Sequence, residues 1–179
     1  MIADRPVVLD TCVVINLLAT NRITEIAPVI APSRLICSAV SSESLYLRSM
    51  DIDGRSEPVE LDPLFERGVL NRCAIENERE EDLYVAYALE LDDGEAMSLA
   101  VAESRGLPLA TDERKARRVV RDNCPQLPLI STAEVIHEWA QSREASEIVA
   151  AVRLIHYRAR FQPSDPDPLA SWWATLLNS

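Results

Sequence analysis

Four carboxylates stand where a folded chain could use them: Asp10 in Val8-Leu9-Asp10-Thr11-Cys12, Glu43 in Val40-Ser-Ser-Glu43-Ser-Leu, Glu95 in Asp92-Asp-Gly-Glu95-Ala-Met, and Asp112 in Leu109-Ala-Thr111-Asp112-Glu-Arg. Asp10 interrupts an apolar run from Val7 to Leu18, and an isolated buried carboxylate shifts its pKa, finds a partner or binds a cation. Singly, each acid has a plain structural reading. Asp10 caps the helix after it, Glu43 sits in a first turn where the dipole favours it, Asp92-x-x-Glu95 resembles a capping box, and Asp112 starts a helix behind Thr111. Jointly they do not read so plainly. If two of the carboxylates lie ~4 Å apart, the pair costs about 4 kcal/mol at an effective dielectric of 20, more than a cap contributes. Either some acids keep a proton or a divalent cation sits among them. An all-oxygen donor set favours Mg²⁺ or Mn²⁺, which act on phosphate esters by activating water and neutralising the leaving oxygen.

Positioning such acids requires strands that end at one rim. Pro6 to Leu9, Arg34 to Cys37, Leu70 to Ile75, Leu107 to Ala110 and Leu127 to Ile130 read as short buried strands. Helices are expected over Thr11 to Leu18, Arg22 to Ile30, Ser41 to Met50, Glu80 to Leu89, Gly94 to Arg105 and Asp112 to Arg121. Gly106 and Pro108 close the helix before them. Asp51 to Pro58 reads as a loop or the continuation of a hairpin. Strands alternating with helices predict an α/β fold with a parallel sheet covered on both faces. In such sheets ligands bind beyond the carboxyl ends of the strands, the rim that Asp10, Glu43 and Asp112 share and that Glu95 reaches if its helix begins there. From Thr132 onward the chain is nearly all helical, with a Pro-rich break at residues 161–168. A catalytic domain over residues 1–131 and a helical extension over 132–179 packed on it are expected.

Composition closes off other classes. With 47% hydrophobic and 26% charged residues in 179, the chain can bury a core and is not disordered. No apolar run approaches the ~20 residues of a membrane span and no signal pattern opens the chain, so no membrane partner and a cytoplasmic location are the default expectation. Cys12, Cys37, Cys73 and Cys124 are far apart and read as buried thiols. The two histidines, His137 and His156, lie late in helical patterns, which argues against a His triad or a His-rich metal site. An aspartyl-nucleophile phosphatase needs a second Asp where Cys12 stands. A net charge of −11 argues against a general nucleic-acid coat protein but not against a nuclease.

The motifs resemble those of PIN-domain nucleases. Val8 to Leu18 is similar to that family's opening motif, Val40 to Leu45 to its second, Gly94 to Ala102 to its third, and Leu109 to Arg117 to its fourth. The Gly-Glu-Ala and Asp-x-x-x-Ala-Arg forms resemble the branch close to toxin ribonucleases of toxin–antitoxin pairs. The likeness covers Pro6 to Ile130. It implies a three-layer α/β/α sandwich and Mg²⁺- or Mn²⁺-dependent endonucleolytic cleavage of RNA. Asp10, Glu43, Glu95 and Asp112 would act as metal-holding catalytic residues, with Thr11 or Thr111 assisting. The acidic segment from Glu76 to Asp93 departs from a compact toxin, and Asp93 reads as a spare ligand or a solvated acid. The contrasting reading is a catalytically silent PIN-like domain that binds protein or RNA.

RNA must approach an acidic chain, so local positive charge matters. Arg114, Lys115, Arg117, Arg118 and Arg121 crowd one predicted helix, either as RNA contacts or as a solvated face. Trp139, Trp172, Trp173, Leu176 and Leu177 read as core packing, the alternative being a docking surface for an antitoxin protein or a second copy in a homodimer.

Overall fold

A computed structural model of the chain describes residues 1–37, 45–51, 55–164 and 167–179. Five short strands form a parallel sheet: β1 (Val7–Leu9), β2 (Arg34–Cys37), β5 (Asn71–Cys73), β6 (Leu109–Ala110) and β7 (Leu129–Ile130). Their order is β5-β2-β1-β6-β7, which puts β1 at the centre and β6 directly beside it. Such a sheet is buried on both faces, which is why β1 is apolar at every position and Val7, Val8 and Leu9 are wholly buried. At about 1.5–3 kcal/mol for each large apolar side chain taken from water, this short strand is anchored well.

Alternate residues of β1 feed the two layers. Val7 and Leu9 join the cluster formed with α1 (Thr11–Ala19), α2 (Ile23–Ile30), α7 (Thr132–Ala140) and α8 (Ala145–Leu154). Val8 joins the opposite cluster, with α4 (Glu78–Tyr87), α5 (Asp93–Arg105) and α6 (Arg114–Asn123). The result is the expected α/β/α sandwich around a parallel sheet. A short α3 (Asp62–Glu66) leads into β5, a π-helical turn (Ile155–Ala159) extends α8, and α9 (Ala170–Leu177) closes the chain. Trp139 and Trp173 are fully buried, and Trp172, Leu176 and Leu177 pack against the same cluster, so the late aromatic group is core. Among the described residues, no helix is long and apolar enough to cross a membrane.

The expected helix over Ser41 to Met50 is corrected where it is described. Leu45–Arg48 is β3, paired antiparallel with β4 (Ser56–Val59), so the hairpin alternative to the loop after it is the one realised. Leu45 and Leu47 point into the core while Tyr46 between them is 54% exposed, a period of two where the sequence reading took a period of 3.6. Arg158 of the π-helical turn braces this hairpin, donating to the Arg48 carbonyl and to Glu57 at 3.0 Å. A further brace joins α4 to α5: Arg105 reaches the fully buried Glu80 at 2.8 Å.

Candidate active site

Asp10 ends β1 and, as expected, caps α1, its Oδ1 accepting from the Thr11 backbone N–H at 2.7 Å. Its Oδ2 accepts from the Thr111 hydroxyl at 2.7 Å and the Cys12 thiol at 3.2 Å. Only 4% of its surface meets solvent. Burial pushes its pKa up, the hydrogen bonds from Thr111, Cys12 and Thr11 pull it back, and the charge of Glu113 adds to the rise. A cap does not need this much enclosure.

Asp112 ends the adjacent strand β6. Its Oδ1 accepts from the Thr132 backbone N–H at 2.9 Å, and its Oδ2 from Asn16 Nδ2 at 3.0 Å and from the Thr132 hydroxyl. Burial raises its pKa, while Thr132, Asn16 and the Arg117 charge lower it. Cys12 lies between the two aspartates, donating to Asp10 and accepting from the Asp112 backbone N–H at 3.3 Å. Burial and the charges of Asp10 and Asp112 push its pKa far up, so it remains a neutral thiol that can donate.

Glu95 sits in the first turn of α5 and is partly buried. Burial, then the charges of Asp10 and Glu113, push its pKa up to about 7. The Asp10 charge thus reaches Glu95 at the start of α5. Its neighbours stay outside: Asp92 and Asp93 are exposed, and Asp93 accepts from the Tyr84 hydroxyl at 3.2 Å. Asp92 occupies the N-cap position of α5 without a side-chain capping bond, so the capping box expected there does not form. Glu43 lies outside the described residues. The helix expected from Asp112 begins instead at Arg114, behind Glu113, because Asp112 is drawn toward Thr132 and the Thr111 hydroxyl accepts from the Glu113 backbone N–H at 3.1 Å.

The basic residues divide. Arg117 is partly buried and donates to the Thr111 carbonyl at 2.8 Å, which ties α6 to the end of β6. Arg121 pairs with Asp122 at 3.1 Å. Arg114, Lys115 and Arg118 are exposed, and Arg114 lines a cavity of about 720 Å³ that also touches Cys12, Asn16 and Asp112.

Sequence reasoning missed Cys12, Asn16, Thr132 and Glu113. The signal for Asn16 was present, a single amide inside the apolar helix Val13 to Leu18, buried in the structure. Thr132 was hidden by its neighbour Ser131, which makes the capping box of α7.

Residues 6–164 match the family DUF3368, described as a PIN domain. The chain belongs to the PIN-domain family. PIN domains are generally nucleases, and nucleases of this fold typically use divalent metals. No curated protein and no solved structure matches the chain. The donor chemistry suits such a cation: hard carboxylate oxygens, with the Asp10 charge close enough to raise the affinity of Glu95 for a proton. Among the described residues, no three Asp, Glu, His or Cys side chains form a ready-made cluster.

Proposed function

We propose that this PIN domain is a divalent-cation-dependent endoribonuclease, with Asp10, Glu95 and Asp112 as the acids that act on the phosphodiester. The observation that carries this is the placement of Asp10 and Asp112 at the carboxyl ends of adjacent central strands. Both are enclosed in one network of Thr111, Cys12, Asn16 and Thr132. Neither acid can rotate away, and each keeps its orientation before substrate arrives, the preorganisation that charge stabilisation in a transition state needs.

Mg²⁺ or Mn²⁺, when bound, supplies an activated water and offsets charge on the leaving oxygen. Asp10 and Glu95, and by resemblance Glu43, are the residues that would hold it. Asp112 would join them, held in place by the Thr132 backbone N–H and hydroxyl and by Asn16. Glu95, less enclosed, is the acid that exchanges a proton as the site fills. Thr111 fixes Asp10 through its hydroxyl, and Thr11 does so through its backbone N–H.

The contrasting reading, a silent PIN-like domain that binds protein or RNA, draws on the absence of a compact cluster among the described residues. Incubating purified protein with a single-stranded RNA in Mg²⁺ or Mn²⁺, with and without EDTA, separates the two. Cleavage that EDTA stops and Asp10→Asn abolishes supports the nuclease, and intact RNA under all conditions supports the silent domain. Within the nuclease reading, the resemblance favours a cytoplasmic toxin restrained by an antitoxin protein. Growth arrest on expression, relieved by a small DNA-binding protein encoded immediately upstream, tests that role.

A further inference from the structure

We infer that the cavity beside Asp112 is a binding subsite for one unpaired nucleotide of single-stranded RNA, held by Arg160 and Arg114 on its phosphate and by Phe161 on its base. The inference rests on the nuclease reading and extends it to a segment beyond the sheet. The cavity, about 720 Å³, lies between α1 and α6 on one side and residues 159–164 on the other. Its size is that of a small-ligand site, and a concave wall of that kind admits a splayed nucleotide but not the convex face of a duplex.

Its walls carry four carboxylates and three guanidiniums, and three of the four carboxylates already accept hydrogen bonds. Among the acids on its walls, Asp112 accepts from Thr132 and Asn16, Glu134 accepts from the Ser131 backbone N–H at 2.7 Å, and Asp167 accepts from that of Leu169 at 2.8 Å. The Glu113 side chain has no hydrogen-bond or ion-pair partner among the described residues, and its charge raises the pKa of Asp10 and Glu95. Arg117 is spent on Thr111. Arg114 and Arg160 likewise have no hydrogen-bond or ion-pair partner among the described residues, so the cavity's uncommitted charges are the Glu113 carboxylate and two guanidiniums, the latter groups that bind phosphate through a planar fork.

Arg160 is held there at a cost. It ends the π-helical turn with φ 57° and ψ 31°, a left-handed conformation that glycine or asparagine adopts more readily. Strain of this kind, and π-helical turns themselves, gather at functional sites. The next residue, Phe161, is packed edge-on against the buried Trp173 at 5.5 Å between ring centroids, so a base would meet a ring already fixed in place. Aromatic faces and Arg planes are the surfaces on which unpaired bases stack.

Arg160→Gly tests this, because glycine suits the left-handed backbone while removing the guanidinium. In Asp10→Asn protein, which prevents cleavage, fluorescence anisotropy would give the Kd of a 12-nucleotide single strand and of its blunt duplex at several salt concentrations. We expect the duplex to bind at least about 10-fold more weakly than the single strand. Arg160→Gly should weaken the single strand about 5- to 10-fold and reduce the salt slope by about one. Its Tm should stay level or rise, and Arg160→Lys should recover part of the binding. Unchanged Kd and slope in Arg160→Gly would overturn the subsite while leaving cleavage by the parent protein, and so the nuclease reading, intact. Equal affinity for duplex would also overturn it, as would displacement of the RNA by an acidic peptide that depends on Arg160. A parent protein that neither binds nor cleaves RNA would remove both.

Discussion

At the scale of single residues the site is a set of acids whose partners, more than their own types, decide what they can do. Asp10 and Asp112 are positioned by donors, so removing a donor should reduce activity without unfolding the chain. Thr132→Val deletes the hydroxyl that reaches Asp112 while keeping the backbone donor and the volume. It should lower the cleavage rate about 10- to 100-fold, the usual effect of losing a partner that orients a metal-site acid, with Thr132→Ser close to the parent. A Thr132→Val rate equal to the parent's would show that Asp112 needs no such orientation. The sequence displayed the acids because each follows an apolar strand. Cys12, Asn16 and Thr132 were illegible as a group because they come from two elements far apart in the chain, α1 and α7, which meet only through the crossovers of the sheet. Glu43 was legible as a motif, and its place lies outside the described residues.

At the scale of elements, β5 (Asn71–Cys73) is a polar, largely exposed edge strand inside the expected Leu70 to Ile75, while the other four of the five parallel strands were legible because each is part of a short apolar run bounded by turn residues. Burial on both faces leaves no alternation to misread. The segment from Leu45 to Met50 was misread because apolar residues at 45, 46, 47 and 50 satisfy a helical stripe as well as a strand. Only the burial of Leu45 and Leu47 against exposed Tyr46 and Met50 separates them. Gly106 was read correctly as a stop: it takes φ +62° and donates back to Ala102 and Glu103. An added Cβ there meets nothing within 4 Å, so Gly106→Ala should cost only the backbone strain, about 1 kcal/mol, or about 2–4 °C in Tm. The Arg105–Glu80 brace makes a pH prediction. The Arg105 hydrogen bonds hold Glu80 below the usual carboxylate range, so its contribution is present above that range and lost as pH falls through the folded value. Glu80→Gln should therefore melt well below the parent at pH 7, and the gap should narrow in acid. A gap that stays constant from pH 7 to pH 3 would show that packing, not charge, sets its effect.

At the scale of the whole molecule, a chain of net charge −11 must bring a polyanion to an acidic rim. Lys115 and Arg118 are exposed on α6, and neither is among the residues lining the cavity, so their role would be to guide approach and not to hold. Reversing both to Glu should slow association with single-stranded RNA several-fold at low salt and leave dissociation nearly unchanged, the difference fading as salt rises. Stopped-flow traces at two ionic strengths would check this, and a change confined to the dissociation rate would place the pair in direct contact with RNA instead. The central claim, that the rim acids form a cation-dependent cleavage site, is tested most directly by single-turnover cleavage of one RNA with Mn²⁺ titrated against four proteins: the parent, Asp10→Asn, Glu95→Gln and Asp92→Asn. The account predicts saturable, Mn²⁺-dependent cleavage by the parent, with Asp92→Asn matching it because Asp92 is exposed and makes no capping bond. Asp10→Asn and Glu95→Gln should be slower by at least about 100-fold at every Mn²⁺ concentration. Cleavage by the parent that persists without cation, or full activity in Asp10→Asn and Glu95→Gln, would contradict it.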